Sequence, residues 1–214
     1  MMDIAIVDYG MGNLRSVAKA FEKVAPDSRI LVTGNAEELL DADRVVFPGV
    51  GALGDAMREL ESRNLIGALR EVAQTRPFLG ICLGLQMLFE FSEEGKAKGL
   101  GLFPGQVRRF ADGMLDAAGL RLKVPHMGWN EVHQLKPHFL WQGIADESRF
   151  YFVHSYYVET TQNDLVAATT CYPHPFVSAI AFRNLFAVQF HPEKSQAAGL
   201  RLLRNFVLWN GTAG

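Results

Sequence analysis

Cysteine is scarce in this chain. Only Cys82 and Cys171 occur among 214 residues, with no metal-like spacing between them. A disulfide framework is therefore not expected, and a reducing cytoplasm is. An excess of charge of one sign is also missing: 21 basic and 23 acidic residues leave a net charge of −2. Nothing electrostatic argues for nucleic acid or an anionic membrane as partner. No apolar run approaches membrane-spanning length. The opening residues Met1-Met2-Asp3-Ile4-Ala5-Ile6-Val7-Asp8 have no basic region and read as a first strand, not as a leader. Phosphate-binding loops of the Walker type are lacking. The stretch Asp8 to Asn13 fails the dinucleotide fingerprint, because Arg15 stands where the third glycine belongs and the next strand ends in Thr33-Gly34 without an acid. Histidines 126, 133, 138, 154 and 174 form no ligand constellation and read mostly as turn or edge residues. No metal or cofactor is expected.

What is present is the composition of a globular enzyme, 49% hydrophobic and 21% charged. There is no linker, repeat or low-complexity stretch, so one domain over residues 1–214 is expected. Short apolar runs predict strands over 3–9, 29–32, 44–47 and 78–81. Helical patterning lies between them, over 14–24, 37–40, from 51 through Val72, and over 85–91. That alternation predicts an α/β fold, an open and mostly parallel sheet flanked by helices. From about residue 102 the rhythm changes to strands over 106–110, 121–124, 131–135, 150–159, 165–172, 176–182 and 185–190. Arg183-Asn184 fits a hairpin turn, and a last helix covers 197–209. The second half reads as an antiparallel extension of the same sheet.

Pro77-Phe78-Leu79-Gly80-Ile81-Cys82-Leu83-Gly84-Leu85-Gln86 runs a strand straight into a cysteine between glycines. Small residues there suit a nucleophile elbow, a cramped strand-to-helix turn that lifts one side chain toward substrate. A lone cysteine after apolar residues is usually inert core, the reading kept for Cys171. For Cys82 the glycines and a distant His191-Pro192-Glu193 reverse that reading. Residues two apart on a strand share a face, so Glu193 could orient and charge-stabilise His191, although a surface turn is the alternative for that pair. Thiol, base and orienter are the parts of a cysteine acyl-transfer site. Pro48-Gly49-Val50-Gly51 is either a plain strand–helix loop or an oxyanion hole formed with the N–H of Leu83. In a parallel sheet all three segments would meet beyond the carboxyl ends of the strands.

Together these motifs resemble the class I (triad) glutamine amidotransferases, whose core is flavodoxin-like. Gly80 to Gln86 matches their nucleophile segment, and His191-Pro192-Glu193 their base and orienter. Five segments narrow the resemblance to the glutaminase subunits of imidazole glycerol phosphate synthase. They are Tyr9-Gly10-Met11-Gly12-Asn13-Leu14, Pro48 to Gly51, Val124-Pro125-His126-Met127-Gly128-Trp129-Asn130, Tyr151 to Tyr157, and His191 to Ser195.

The resemblance implies a glutaminase. Cys82 would form a glutamyl thioester, with Gly49, Val50 and Leu83 at the oxyanion hole. Gly51, Gln86, Glu94 and the Ser155-Tyr156 backbone would hold glutamine. The ammonia would pass to a (β/α)8-barrel cyclase subunit in a heterodimer serving histidine biosynthesis, docked around Asn13, Trp129, Tyr151 and Lys194. For Trp129 and Tyr151, core packing is the competing reading. Rival functions are a glutaminase subunit serving another ammonia-using synthase, and a stand-alone cysteine hydrolase.

Overall fold

The computed structural model describes residues 1–116 and 118–212. Its first half alternates strand and helix: β1 (Asp3–Val7), α1 (Leu14–Val24), β2 (Arg29–Thr33), α2 (Ala36–Asp41), β3 (Arg44–Gly49), α3 (Leu53–Ser62), α4 (Ile66–Thr75), β4 (Phe78–Cys82) and the single-turn α5 (Leu83–Gln86). Strands then dominate: β5 (Phe89–Ser92), β6 (Ala97–Lys98), β7 (Phe103–Arg109), β8 (His126–Glu131), β9 (His133–Gln134), β10 (Arg149–His154), β11 (Tyr156–Glu159), β12 (Val166–Cys171), β13 (Pro175–Phe182) and β14 (Leu185–Val188). Helix α6 (Gln196–Leu208) follows them.

The main sheet has the order β2-β1-β3-β4-β14-β13-β11-β7-β5-β6, with β12 and β9 attached beside β13. From β2 through β14 every pairing is parallel. Beyond β14 the sheet continues antiparallel through β13, β11 and β7. This is the expected mostly parallel sheet with an antiparallel extension. Central strands read as unbroken apolar runs because both faces are covered. In β1, Ile4 and Ile6 pack toward α1 and α6 with Phe21, Leu203 and Phe206. Ala5 and Val7 pack oppositely, with Leu39, Leu60, Leu69 and Val72 of α2 to α4.

Several elements differ from the sequence expectation. The helical stretch through Val72 is two helices, broken where Asn64 takes φ 57°. The helix expected over 85–91 stops after one turn, and the chain becomes β5. There Phe89 enters the core against Phe103, 6.0 Å between ring centres. Residues 121–124 are not a strand, since the Asp116 carboxylate gathers the N–H groups of Ala118 and Leu120 into a turn and only Leu115 bridges Arg121. The strand expected over 131–135 is displaced. β8 begins earlier, at His126, and Val132 separates it from the two-residue β9. The strand expected over 150–159 is two strands, split at Ser155. β10 pairs with β8 in a separate ribbon, while β11 joins the main sheet. Arg183 and Asn184 do form the turn between β13 and β14. Among the described residues no helix is long and apolar enough to cross a membrane.

Candidate active site

Strands β3, β4 and β14 lie side by side in parallel, so their carboxyl ends share one rim. Register pairs Gly49 with Cys82 across β3 and β4, and Val188 with Ile81 across β14 and β4. Cys82 ends its strand at φ 55°, ψ −108°, a conformation that ordinary residues occupy only at a cost. The chain then turns at once into α5, whose Gly84 lies against the backbone of β3. A Cβ on Gly84 would sit 1.8 Å from the Phe47 carbonyl oxygen. The helix behind the sulfur is one turn long.

A cavity of about 420 Å³ opens at this rim. Cys82 and His191 both line it. Val50, Gly51 and Leu83 form the wall on the β3 side. Gln86, Glu94, Ser155 and Tyr156 also face it. Gly49 is buried behind that wall, where a Cβ would meet the Tyr9 hydroxyl at 2.5 Å.

His191 and Glu193 form a buried pair. The Nδ1–H of His191 donates to Glu193 Oε1 at 2.8 Å, and their side chains are 2% and 1% exposed. Strand alternation is not what pairs them, contrary to the sequence argument. His191 precedes a tight 3-10 turn, Pro192–Lys194, and the turn folds Glu193 back beneath the imidazole. The turn is pinned by Ser195, whose hydroxyl donates to the His191 carbonyl at 2.6 Å and accepts the Tyr151 N–H at 2.9 Å. His191 Nε2 is buried with no hydrogen-bond partner, on a ring that lines the same cavity as Cys82. Burial disfavours the charged imidazole. The charge of neighbouring Cys82, then the hydrogen bond and charge of Glu193, outweigh it and push the pKa up to about 10.

Gln86 and Glu94 are partly committed within the protein. The Gln86 amide nitrogen donates to the Tyr156 carbonyl at 2.9 Å and to Gln189 Oε1 at 3.0 Å, so only its oxygen remains for a ligand. One Glu94 oxygen accepts the N–H of Leu53 at the start of α3, 2.8 Å away. Asn13 precedes α1 without capping it through its side chain. Trp129 is 38% exposed and touches half-buried Tyr151 edge-on, ring centres 6.0 Å apart, so Trp129 is not core. Lys194 is exposed on the turn that α1 and β10 pack against.

Three features were not foreseen. Tyr9, fully buried, donates to the Pro48 carbonyl at 3.1 Å; burial, then the charge of nearby Cys82, raises its pKa. Gln189, also fully buried, directs its amide nitrogen at Cys82 Sγ, 3.7 Å away. A glutamine inside the apolar run 185–190 was the signal for it. His126 and His154 are not turn or edge residues: they are buried and bonded to each other at 2.9 Å. The Tyr156 carbonyl can only accept, so His154 donates to it from Nδ1 at 2.7 Å and accepts from His126. Burial lowers the pKa of His126 to about 4 and that of His154 to about 3, keeping both neutral. Cys171, expected in the core, is exposed.

A family model described as glutamine amidotransferase class-I matches residues 5–209. The chain belongs to the class I glutamine amidotransferases. Among its relatives is the imidazole glycerol phosphate synthase subunit HisH of Thiobacillus denitrificans, 59% identical over 98% of this chain and 92% of that one. The HisH subunit of Nitrosospira multiformis is 61% identical over 98% and 99% of the two chains. Within the amidotransferases the chain therefore groups with the HisH subunits. Solved structures share the fold at low identity. One titled as PurLQS from Thermotoga maritima superposes with a TM-score of 0.71 at 15% identity, over 97% of this chain and 98% of that one. A structure titled as a glutamine amidotransferase gives 0.70 at 16%, over 95% and 97%.

Proposed function

We propose that this chain is the glutaminase subunit of an imidazole glycerol phosphate synthase, releasing ammonia from glutamine for a partner subunit. The observation that carries the chemistry is the buried His191–Glu193 pair, at 2.8 Å, on the same cavity as Cys82. Cys82 Sγ attacks the side-chain amide carbon of glutamine. The carbonyl oxygen becomes an oxyanion, accepting N–H bonds from Val50 and Leu83. His191, charged and held by Glu193, gives its proton to the departing nitrogen, and ammonia leaves a glutamyl thioester. Neutral His191 then takes a proton from water, the hydroxide attacks the thioester, and glutamate departs with the thiolate restored. Gln86 Oε1, Glu94 and the Ser155-Tyr156 backbone hold the substrate's amino-acid end, and Gly51 lets the wall approach it. In this reading the chain is one domain, works in the cytoplasm and needs no cofactor.

The partner in this reading is a barrel-type cyclase subunit in a heterodimer of histidine biosynthesis. Asn13, Trp129, Tyr151 and Lys194 form the docking face: α1, which Asn13 precedes, and β10 pack against the turn that carries Lys194, and Trp129 of β8 pairs with Tyr151 of β10. A flip of the Gly49–Val50 peptide would supply or withdraw an oxyanion donor, and one such donor is worth about 10²–10³ in rate. In the complex with the cyclase subunit, Cys82→Ser is expected to abolish glutamine-dependent synthesis while leaving synthesis from added ammonia intact. Retained glutamine turnover in that variant would remove Cys82 from the chemistry. Steady hydrolysis of γ-glutamyl esters by the lone chain, with no gain from the partner, would favour the stand-alone hydrolase.

A further inference from the structure

We propose that Gln189 is a fourth functional side chain at the nucleophile, donating an amide N–H to Cys82 Sγ and stabilising the negative charge the sulfur carries before attack. The inference deepens the glutaminase reading and rests on Cys82 being its nucleophile.

Which end of the Gln189 amide faces sulfur follows from the chain of bonds behind it. The Tyr156 carbonyl can only accept, so the end of Gln86 beside it, at 2.9 Å, is its nitrogen. That same nitrogen gives its other hydrogen to Gln189 at 3.0 Å, so the Gln189 atom there is its oxygen. Its nitrogen is left facing Cys82 Sγ at 3.7 Å. The backbone cannot drift either, because Gln189 N–H donates to the Ser178 carbonyl at 2.9 Å. Gln189 is wholly buried, so water cannot compete for sulfur from that side. An amide donor costs nothing to keep neutral there, and it meets the sulfur on a different atom from the one His191 will protonate.

Site-resolved alkylation by iodoacetamide tests this without glutamine or partner, using the full chain near neutral pH. Exposed Cys171 serves as the internal reference. A hydrogen bond to a charged group is worth roughly 10–100-fold in equilibrium, so Gln189→Met is expected to slow alkylation of Cys82 by about that factor and leave Cys171 unchanged. Gln189→Asn keeps a buried amide but ends one methylene short of sulfur, and is expected to slow it similarly. A merely structural role predicts the opposite sign, since loosening the rim exposes a buried sulfur and speeds its modification. Unchanged or faster alkylation of Cys82 in both variants would overturn the assignment. Native Cys82 reacting no faster than Cys171 would instead remove the nucleophile reading itself.

Discussion

The imidazole of His191 is where this site's electrostatics concentrate. Burial opposes its charge, yet Cys82 and Glu193 raise its pKa to about 10. The sign is testable by nuclear magnetic resonance of the histidine ring. Cys82→Ala deletes the first raising influence and Glu193→Gln the second, so in each variant His191 is expected to titrate at lower pH than in the native chain. A titration left in place would mean that neither neighbour holds the charge. Tyr9 matters at the same scale. Its hydroxyl holds the Pro48 carbonyl, one peptide before the Gly49–Val50 bond. Tyr9→Phe orphans that buried carbonyl and is expected to cost about 1–3 kcal/mol in urea unfolding. The candidate site was readable because a cysteine between glycines and a His-x-Glu pair are chemically unusual, and the fold puts Cys82 and His191 on one cavity. Tyr9 and Gln189 were not read, because each acts through a partner brought near only by folding.

Elements at the site are shaped by close approach more than by propensity. α5 exists because Gly84 lets the chain turn against β3. Alanine there would place its Cβ 1.8 Å from a backbone oxygen, which no rotamer change relieves. Gly84→Ala is expected to destabilise the fold by about 3 kcal/mol or more, with glutaminase activity lost, and chemical denaturation would check it. The helix expected over 85–91 failed for a related reason. Apolar residues at 85, 87, 88, 89 and 91 fit a buried helix and a buried strand alike, and the place of Phe89 against Phe103 decides for strand after one turn. Likewise, residues 150–159 carry one continuous strand-like run. Its division at Ser155 reflects two sheets claiming its halves: β8 pairs with β10, and β7 with β11.

Across the whole molecule, the ribbon of β8 and β10 joins two roles. Its inner residues, His126 and Asn130, bond toward His154 and thence the Tyr156 carbonyl on the cavity wall. Its outer residues Met127 and Trp129 are exposed, Met127 to 61%. Trp129→Ala is expected to leave thermal stability nearly unchanged while weakening the proposed heterodimer by about 2 kcal/mol, roughly 30-fold in Kd. Isothermal titration with the cyclase subunit reads the second effect, and an unaltered Kd would take Trp129 out of the docking face.

Sequence alone determined the layered α/β architecture, because period and apolar run length are local properties that burial on both faces of a parallel sheet imposes. It also picked out Cys82, His191 and Glu193 as the candidate set, since few residue types combine as thiol, imidazole and carboxylate. Tertiary structure decided what lies beside that set. The adjacency of β1, β3, β4 and β14 brings Tyr9 to the Pro48 carbonyl and Gly49 and Gln189 beside Cys82, and strand order is a long-range choice that no local window records. It decided too that a 3-10 turn pairs His191 with Glu193: the contact depends on how Ser195 pins the chain to β10, an interaction between segments that only the folded molecule brings together.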